Sequence, residues 1–132
     1  MAIQAWVPFR VPWLHFYAQG PLSAGILVAI VVRRVGLWWV NLNRVVYTID
    51  EPHRFGFAYG TLGLHALSGE ELFLVERSPQ SGEVTYRILA FSRPRHLLTR
   101  LGYPLTRAAQ RRFGVDSSQA MQSAMQNPDF VL

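Results

Sequence analysis

The sequence predicts an α+β fold: a curved antiparallel β-sheet wrapped on a long C-terminal helix. Three observations carry this. Apolar segments of strand-like composition follow one another from Trp13 to Phe91, separated only by short Gly- and Pro-bearing turns. Val45 to Phe91 alone reads as four such segments in a row. Past Ser92 the apolar spacing changes to that of a helix, with Leu97, Leu101, Leu105, Ala108 or Ala109, and Phe113 on one stripe.

The elements follow in chain order. Ala2 to Phe9 suits the end of a helix, with Trp6 and Phe9 three apart and Pro8 and Pro12 bracketing its exit. Residues 13–17 form a short aromatic strand, and Gln19-Gly20-Pro21 a turn. Residues 25–33 are apolar on both faces, as in a central strand, and Gly36 marks a turn or bulge. Residues 37–50 make one long strand, or two with a break near Asn41-Leu42-Asn43. After that break, alternation puts Val45, Tyr47 and Ile49 on one face and Arg44, Val46, Thr48 and Asp50 on the other.

The next strand, 55–62, carries Phe55, Phe57, Tyr59 and Thr61 on one face and Gly56, Ala58 and Gly60 on the other. Repeated small residues on one face imply close approach by a packed helix, a strongly bent sheet or a ligand. Gly63–Gly69 is a loop holding His65; strands 70–77 and 83–91 follow around a turn at Pro79 and Gly82. In the last strand Val84, Tyr86, Ile88 and Ala90 share a face. Ser92 is the expected N-cap, Pro104 opens a second helical piece or kinks a continuous one, Gly114 weakens the middle, Ala120 and Ala124 extend the stripe, and Asn127-Pro128 ends it. One domain is expected over 1–132: a helix remnant and linker (1–12), strands (13–91), the helical segment (92–127) and a tail (128–132).

Composition bounds the function. Half the residues are hydrophobic and 16% are charged, which suits a folded core rather than disorder. Without cysteine there is no disulfide framework and no thiolate metal site, which fits a reducing cytoplasm. The net charge is +5 and every basic residue is arginine. Much of the excess lies between Glu83 and Asp116, including Arg93, Arg95, Arg107 and Arg111. A solvated helix face is the plainer reading of that run; a phosphate or acidic-lipid surface is the sharper one. The uninterrupted apolar run 25–32 is too short to span a bilayer, which needs about 20 residues. The N-terminus has no signal-peptide pattern, so a soluble protein is expected.

Several stretches together resemble one family: Gly36-Leu37-Trp38-Trp39, Arg44-Val45-Val46-Tyr47, Asp50-Glu51-Pro52, the run from Arg54 to Leu62, Ser68-Gly69-Glu70-Glu71, and Ala90-Phe91-Ser92-Arg93-Pro94. They are similar to the uncharacterised protein family UPF 0548, a domain of unknown function, over about Trp6 to Met125. The resemblance implies the helix-grip superfamily of START-like, pollen-allergen-like and polyketide-cyclase-like proteins, which hold apolar small molecules between sheet and helix. That implication is one of fold alone. Two departures stand out. The family's usual N-terminal strand and helix are shortened or missing, so the start is truncated or an edge strand is lost, which would leave an exposed sheet edge for pairing into a homodimer. The loop around His65 is also more apolar than the family's usual version.

No motif names a reaction. The histidines His15, His53, His65 and His96 show no ligand spacing, so no metal is expected, and no cofactor either. Gly-x-Ser-x-Gly and phosphate loops are absent from the sequence. His65 with Glu70 or Glu71 could form an acid–base pair, although a loop histidine is more often a surface residue. Tyr47, Tyr59 and Tyr86 could supply hydroxyls within an apolar pocket with His65 at its rim, although core packing is the default for aromatics. Trp38 and Trp39, adjacent in a strand, cannot both line it.

The reading is therefore a cytoplasmic binding module for a small apolar or amphipathic molecule, with Tyr47, Tyr59, His65 and Tyr86 as its ligand-binding residues and no catalytic residue assigned. The alternatives are a cyclase- or hydrolase-like enzyme on the same fold, or a structural subunit that recruits a partner. Single-strand nucleic-acid binding is not indicated, because stacking aromatics are not interleaved with the helix arginines.

Overall fold

The computed structural model describes residues 1–34, 36–62, 67–94 and 97–127; at 67, 68, 92–94 and 97–103 only the backbone is described. Among them the chain forms β1 (Leu14–Ala18), β2 (Leu27–Arg34), β3 (Leu37–Glu51), β4 (Arg54–Thr61), β5 (Leu67–Arg77) and β6 (Val84–Pro94), then α1 (Leu97–Met125). The strands lie in sequence order in one sheet, each antiparallel to the next. The short connections account for this, two residues at β2–β3 and β3–β4 and five to eight at the others, because a short connection reverses the chain beside itself. Gly36 and Gly82 sit at two of these reversals with φ of +75° and +71°, a conformation that L side chains rarely adopt.

Alternation divides the sheet into two faces. The inner face carries Val28 and Val45 beside Phe57 and Phe73, all nearly inaccessible. Onto it fold both ends of the described chain. Residues 1–10 run through successive turns into a single 3₁₀ turn, Val7–Phe9, rather than the expected end of an α-helix. Pro8 within that turn has no N–H for a helical ladder, and Trp6 takes a left-handed φ of 57°. The segment is core material: Ile3, Val7 and Phe9 are buried. Phe9 stacks on Phe16 at 4.3 Å between centroids and meets Phe73 at 5.1 Å and Phe113 at 5.6 Å.

The helix adds Phe113, Ser117, Met121 and Ala124 to this core, one residue per turn. Leu105, expected in the buried stripe, is 62% exposed. Leu97 and Leu101 lie where side chains are not described. The helix runs through Pro104 without a break in assignment, and Gly114 is accommodated with its carbonyl accepting from Ser118 Oγ at 2.7 Å. Arg34, at the end of β2, donates to the carbonyl of Leu105 at 3.1 Å and ties the early helix to the sheet.

Two expectations need correction. Ser92 does not cap the helix: β6 continues to Pro94, pairing Arg93 with Ser68 and Pro94 with Leu67. A residue before proline is held extended, which keeps the strand going. Residues 37–50 take the single-strand alternative, Asn41–Asn43 pairing regularly with β2, but the strand carries a bulge between Val45 and Tyr47. That extra residue sends Tyr47 opposite Ala58 and Ile49 opposite Gly56, so neither shares a face with Val45. At Gly56 the close approach is by the neighbouring strand, since a Cβ there would lie 2.4 Å from the Phe73 carbonyl oxygen.

Candidate functional site

β4 and β5 pair Tyr59 with Glu71, and β5 and β6 pair Glu71 with Ala90, on the inner face. Two residues along β6 from Phe73's partner Ile88, Tyr86 takes the same face. The Tyr59 hydroxyl donates to Glu71 Oε2 at 2.5 Å, and the Tyr86 hydroxyl shares a 2.9 Å hydrogen bond with Ser117 Oγ of the helix. These four residues are a polar inset in an otherwise aromatic layer. Tyr59 packs its ring against Phe73 at 5.5 Å and Phe57 at 6.3 Å, so the ring belongs to the core while the hydroxyl points at a carboxyl.

Burial sets the protonation chemistry here. It pushes the Glu71 carboxyl above its ordinary value, and the Tyr59 hydrogen bond pulls the other way. Tyr59 is raised well above an ordinary phenol, first by burial and then by the negative charge of Glu71. Tyr86 is raised by burial against the opposing hydrogen bond to Ser117, with the Glu71 charge adding to the rise. Burial therefore works against the charged form of each group, and the two tyrosines stay neutral phenols that offer hydrogen bonds rather than a nucleophile.

Away from this inset the inner face opens. Asn43 is buried, its side-chain amide donating to the Asn41 carbonyl at 3.4 Å. Thr61 Oγ1 accepts from the Gly69 N–H at 2.9 Å and closes the β4–β5 end. Further along β3, Leu37 and Trp39 are inner-face residues by register yet more than half exposed. Two clefts open at the surface elsewhere. One, about 450 Å³, is lined by Trp6, Phe9, Arg10 and the β1 residues Leu14 to Tyr17. The other, about 440 Å³, lies between Trp13 and the helix at Arg112, Asp116 and Gln119.

Of the residues expected to bind, Tyr59 and Tyr86 come together around Glu71. Tyr47 stands on the opposite face, in register with Ala58. His65 lies outside the described residues, as does any pairing of it with a glutamate. Trp38 and Trp39 fall on opposite faces, as adjacent strand residues must. Sequence reasoning missed Glu71 as the partner of Tyr59, and Ser117 altogether. The signal was present: Glu71 alternates with Phe73 and Val75, and Ser117 sits four residues from both Phe113 and Met121, so each is a polar residue on an apolar face. Among the described residues no group of three or more His, Asp or Glu could hold a metal ion, and no helix is long and apolar enough to cross a membrane.

Comparison with known proteins decides the family. The model of the domain of unknown function DUF1990 matches residues 1–120. The chain belongs to the DUF1990 family. Its DUF1990 relatives include a UPF0548 protein of Dictyostelium discoideum, 37% identical over 94% of this chain and 63% of its own length. A UPF0548 protein of Arabidopsis thaliana is 39% identical over 91% of this chain and 61% of its own. Another, from Deinococcus radiodurans, is 44% identical over 74% and 54%. The chain thus spans about three fifths or less of the length of these curated relatives. No solved structure matches the chain.

Proposed function

We propose that this DUF1990 chain is a binding module for a small amphipathic molecule on the inner face of its sheet, in a helix-grip arrangement of sheet and C-terminal helix. The observation that carries this reading is the Tyr59–Glu71 hydrogen bond set within an apolar layer. A part-buried carboxyl is costly to keep on a face that a non-polar residue could fill. At the far end of β3, six or more residues along from Val45, the uncovered inner-face residues Leu37 and Trp39 offer an apolar shelf for the tail of an elongated ligand. The polar head would meet Glu71, positioned by Tyr59, with Tyr86 held by Ser117 behind it. His65, on the β4–β5 connection, remains the rim residue of this proposal. Tyr47 drops out of it, being on the other face. The enzymatic alternative rests on His65 and has no geometry of its own. The cytoplasm is the compartment we propose, on the cysteine-free composition.

Native mass spectrometry of the purified chain, followed by denaturing analysis of released species, tests the reading. A stoichiometric amphipathic molecule is expected, and Glu71→Gln should reduce its occupancy while the circular dichroism spectrum is unchanged. A bare chain that also fails to take up a fluorescent fatty acid would sink the proposal.

A further inference from the structure

An antiparallel sheet with one face on a core normally turns polar residues outward on the other. This sheet does not. By register, its outer face carries Tyr17, Trp38, Val40 and Leu42 on the β1–β3 side, exposed by 61%, 58%, 49% and 45%. Tyr47 and Leu89 lie in one cross-strand row with Ala58 and Leu72 between them, and Phe91 stands in the next row, 73% exposed. Val46, pushed out by the bulge, leans over Gly60, whose missing Cβ would sit 3.5 Å from Val46 Cγ2. The small residues of β4 thus form the floor of a shallow trough between apolar walls.

We propose that this outer face is the interface between two copies of the chain, packed sheet against sheet. Area is the first argument. The four aromatics Tyr17, Trp38, Tyr47 and Phe91 expose on the order of 500 Å² at the usual size of such side chains. The exposed aliphatic residues bring the apolar area to about 800 Å², the share one partner contributes to a standard interface. The area falls in two groups on either side of the Arg44–Glu70 row, and a monomer seldom leaves several hundred Å² of apolar surface on one face to water.

Charge is the second. Charged residues cross and edge this face: Arg44 and Glu70 lie in the row of Phe91, and at one end of the sheet Arg54 pairs with Glu51 and Glu76, and Glu76 with Arg87. Arg33 lies 5.7 Å over the Trp38 ring at the other. Across the outer face Arg33, Arg44, Arg54 and Arg87 are nearly balanced by Glu51, Glu70 and Glu76. The basic excess of the chain lies elsewhere, so the face neither repels a second copy strongly nor offers an anionic surface a cationic plane. A two-fold pairing would set like rows of the two sheets about 10 Å apart, with the trough of one receiving the bulge side of the other. This contact differs from edge pairing through β1 or β6, and it stands independently of the ligand reading.

Sedimentation equilibrium of the full chain from 1 to 100 µM, with co-sedimentation on acidic-lipid vesicles, is the test. The expected result is a species of twice 15.0 kDa. Trp38→Glu and Leu89→Glu should each weaken self-association at least 100-fold with the circular dichroism spectrum retained. Should either charge prevent folding, the milder Val40→Thr combined with Leu89→Gln should weaken it at least tenfold. A monomer throughout the range, vesicle binding by a monomeric chain, or a dimer of unchanged affinity in the folded variants would overturn the proposal.

Discussion

The indole N–H of Trp13 donates to Asp116 Oδ2 at 2.6 Å, joining the approach to β1 with the helix across 103 positions of sequence. Arg112 reinforces the contact from both sides. Its guanidinium lies 5.1 Å over the Trp13 ring and 3.6 Å from the same Asp116 oxygen. Removing the acceptor strands a half-buried indole donor. Asp116→Ala should therefore cost about 1.5–3 kcal/mol, as hydrogen bonds to charged groups do. Asp116→Asn keeps an acceptor and should cost about half of that. Urea denaturation followed by tryptophan emission measures both; equal midpoints in all three proteins would refute the anchoring role.

Glu71 makes stability depend on pH in a definite sense. Its carboxyl is raised from the ordinary value of 4.5 when the chain folds. Through the window between 4.5 and the raised value the folded state therefore holds more protons than the unfolded one. The contribution of Glu71 to stability is fully present below the ordinary value and is lost as pH rises through the folded one. Glu71→Gln should remove this decline, so the variant gains on the parent protein as pH increases. Urea midpoints taken in steps from pH 4 to 8 report it, and parallel curves for the two proteins would contradict it.

Gly56 and Gly60, two turns of the pleat apart on the same strand, should respond oppositely to alanine. At Gly56 the new Cβ collides with the Phe73 carbonyl, a backbone atom that cannot step aside alone, and the sheet must open. A loss of about 1–3 kcal/mol is expected, as for other overpacked sites. At Gly60 the nearest atoms are Val46 Cγ2 at 3.5 Å and the Gly69 oxygen at 3.8 Å, ordinary contacts. There the reduced freedom of the unfolded chain should leave Gly60→Ala neutral or more stable by about 0.4–1 kcal/mol. Thermal unfolding of the pair decides the matter; similar losses at both sites would mean that the close approach of the Phe73 carbonyl does not set the cost at Gly56.

The strands were legible because each carries its own local signature: β-branched runs, alternation and a turn at each end. The last strand is the plainest case, with Tyr86 and Ile88 on the core face as alternation required. The bulge was not legible. Val45-Val46 has no glycine to mark it, and one added residue reverses the faces of everything after it, so Tyr47 stands opposite to where alternation from Val45 puts it. The N-terminal turns were hidden too, since Trp6 adopts a left-handed conformation that nothing in its side chain requires. Half of the polar inset could be read, because Tyr59 and Tyr86 lie in clean alternation. Its other half needed three-dimensional neighbours: only the sheet register pairs Glu71 with Tyr59, and only the docked helix brings Ser117 to Tyr86.

Because every strand lies beside its predecessor in sequence, the sheet can assemble hairpin by hairpin as the chain leaves the ribosome, each step closing only a short loop. The first eleven residues can meet part of their partners this way, since Phe9 stacks on Phe16 and reaches Phe73 of the sheet. Their cover by the helix that carries Phe113 and Met121 comes last. The interval in which this protein is most exposed to aggregation or to a chaperone is thus set by the time needed to translate the hundred residues between them.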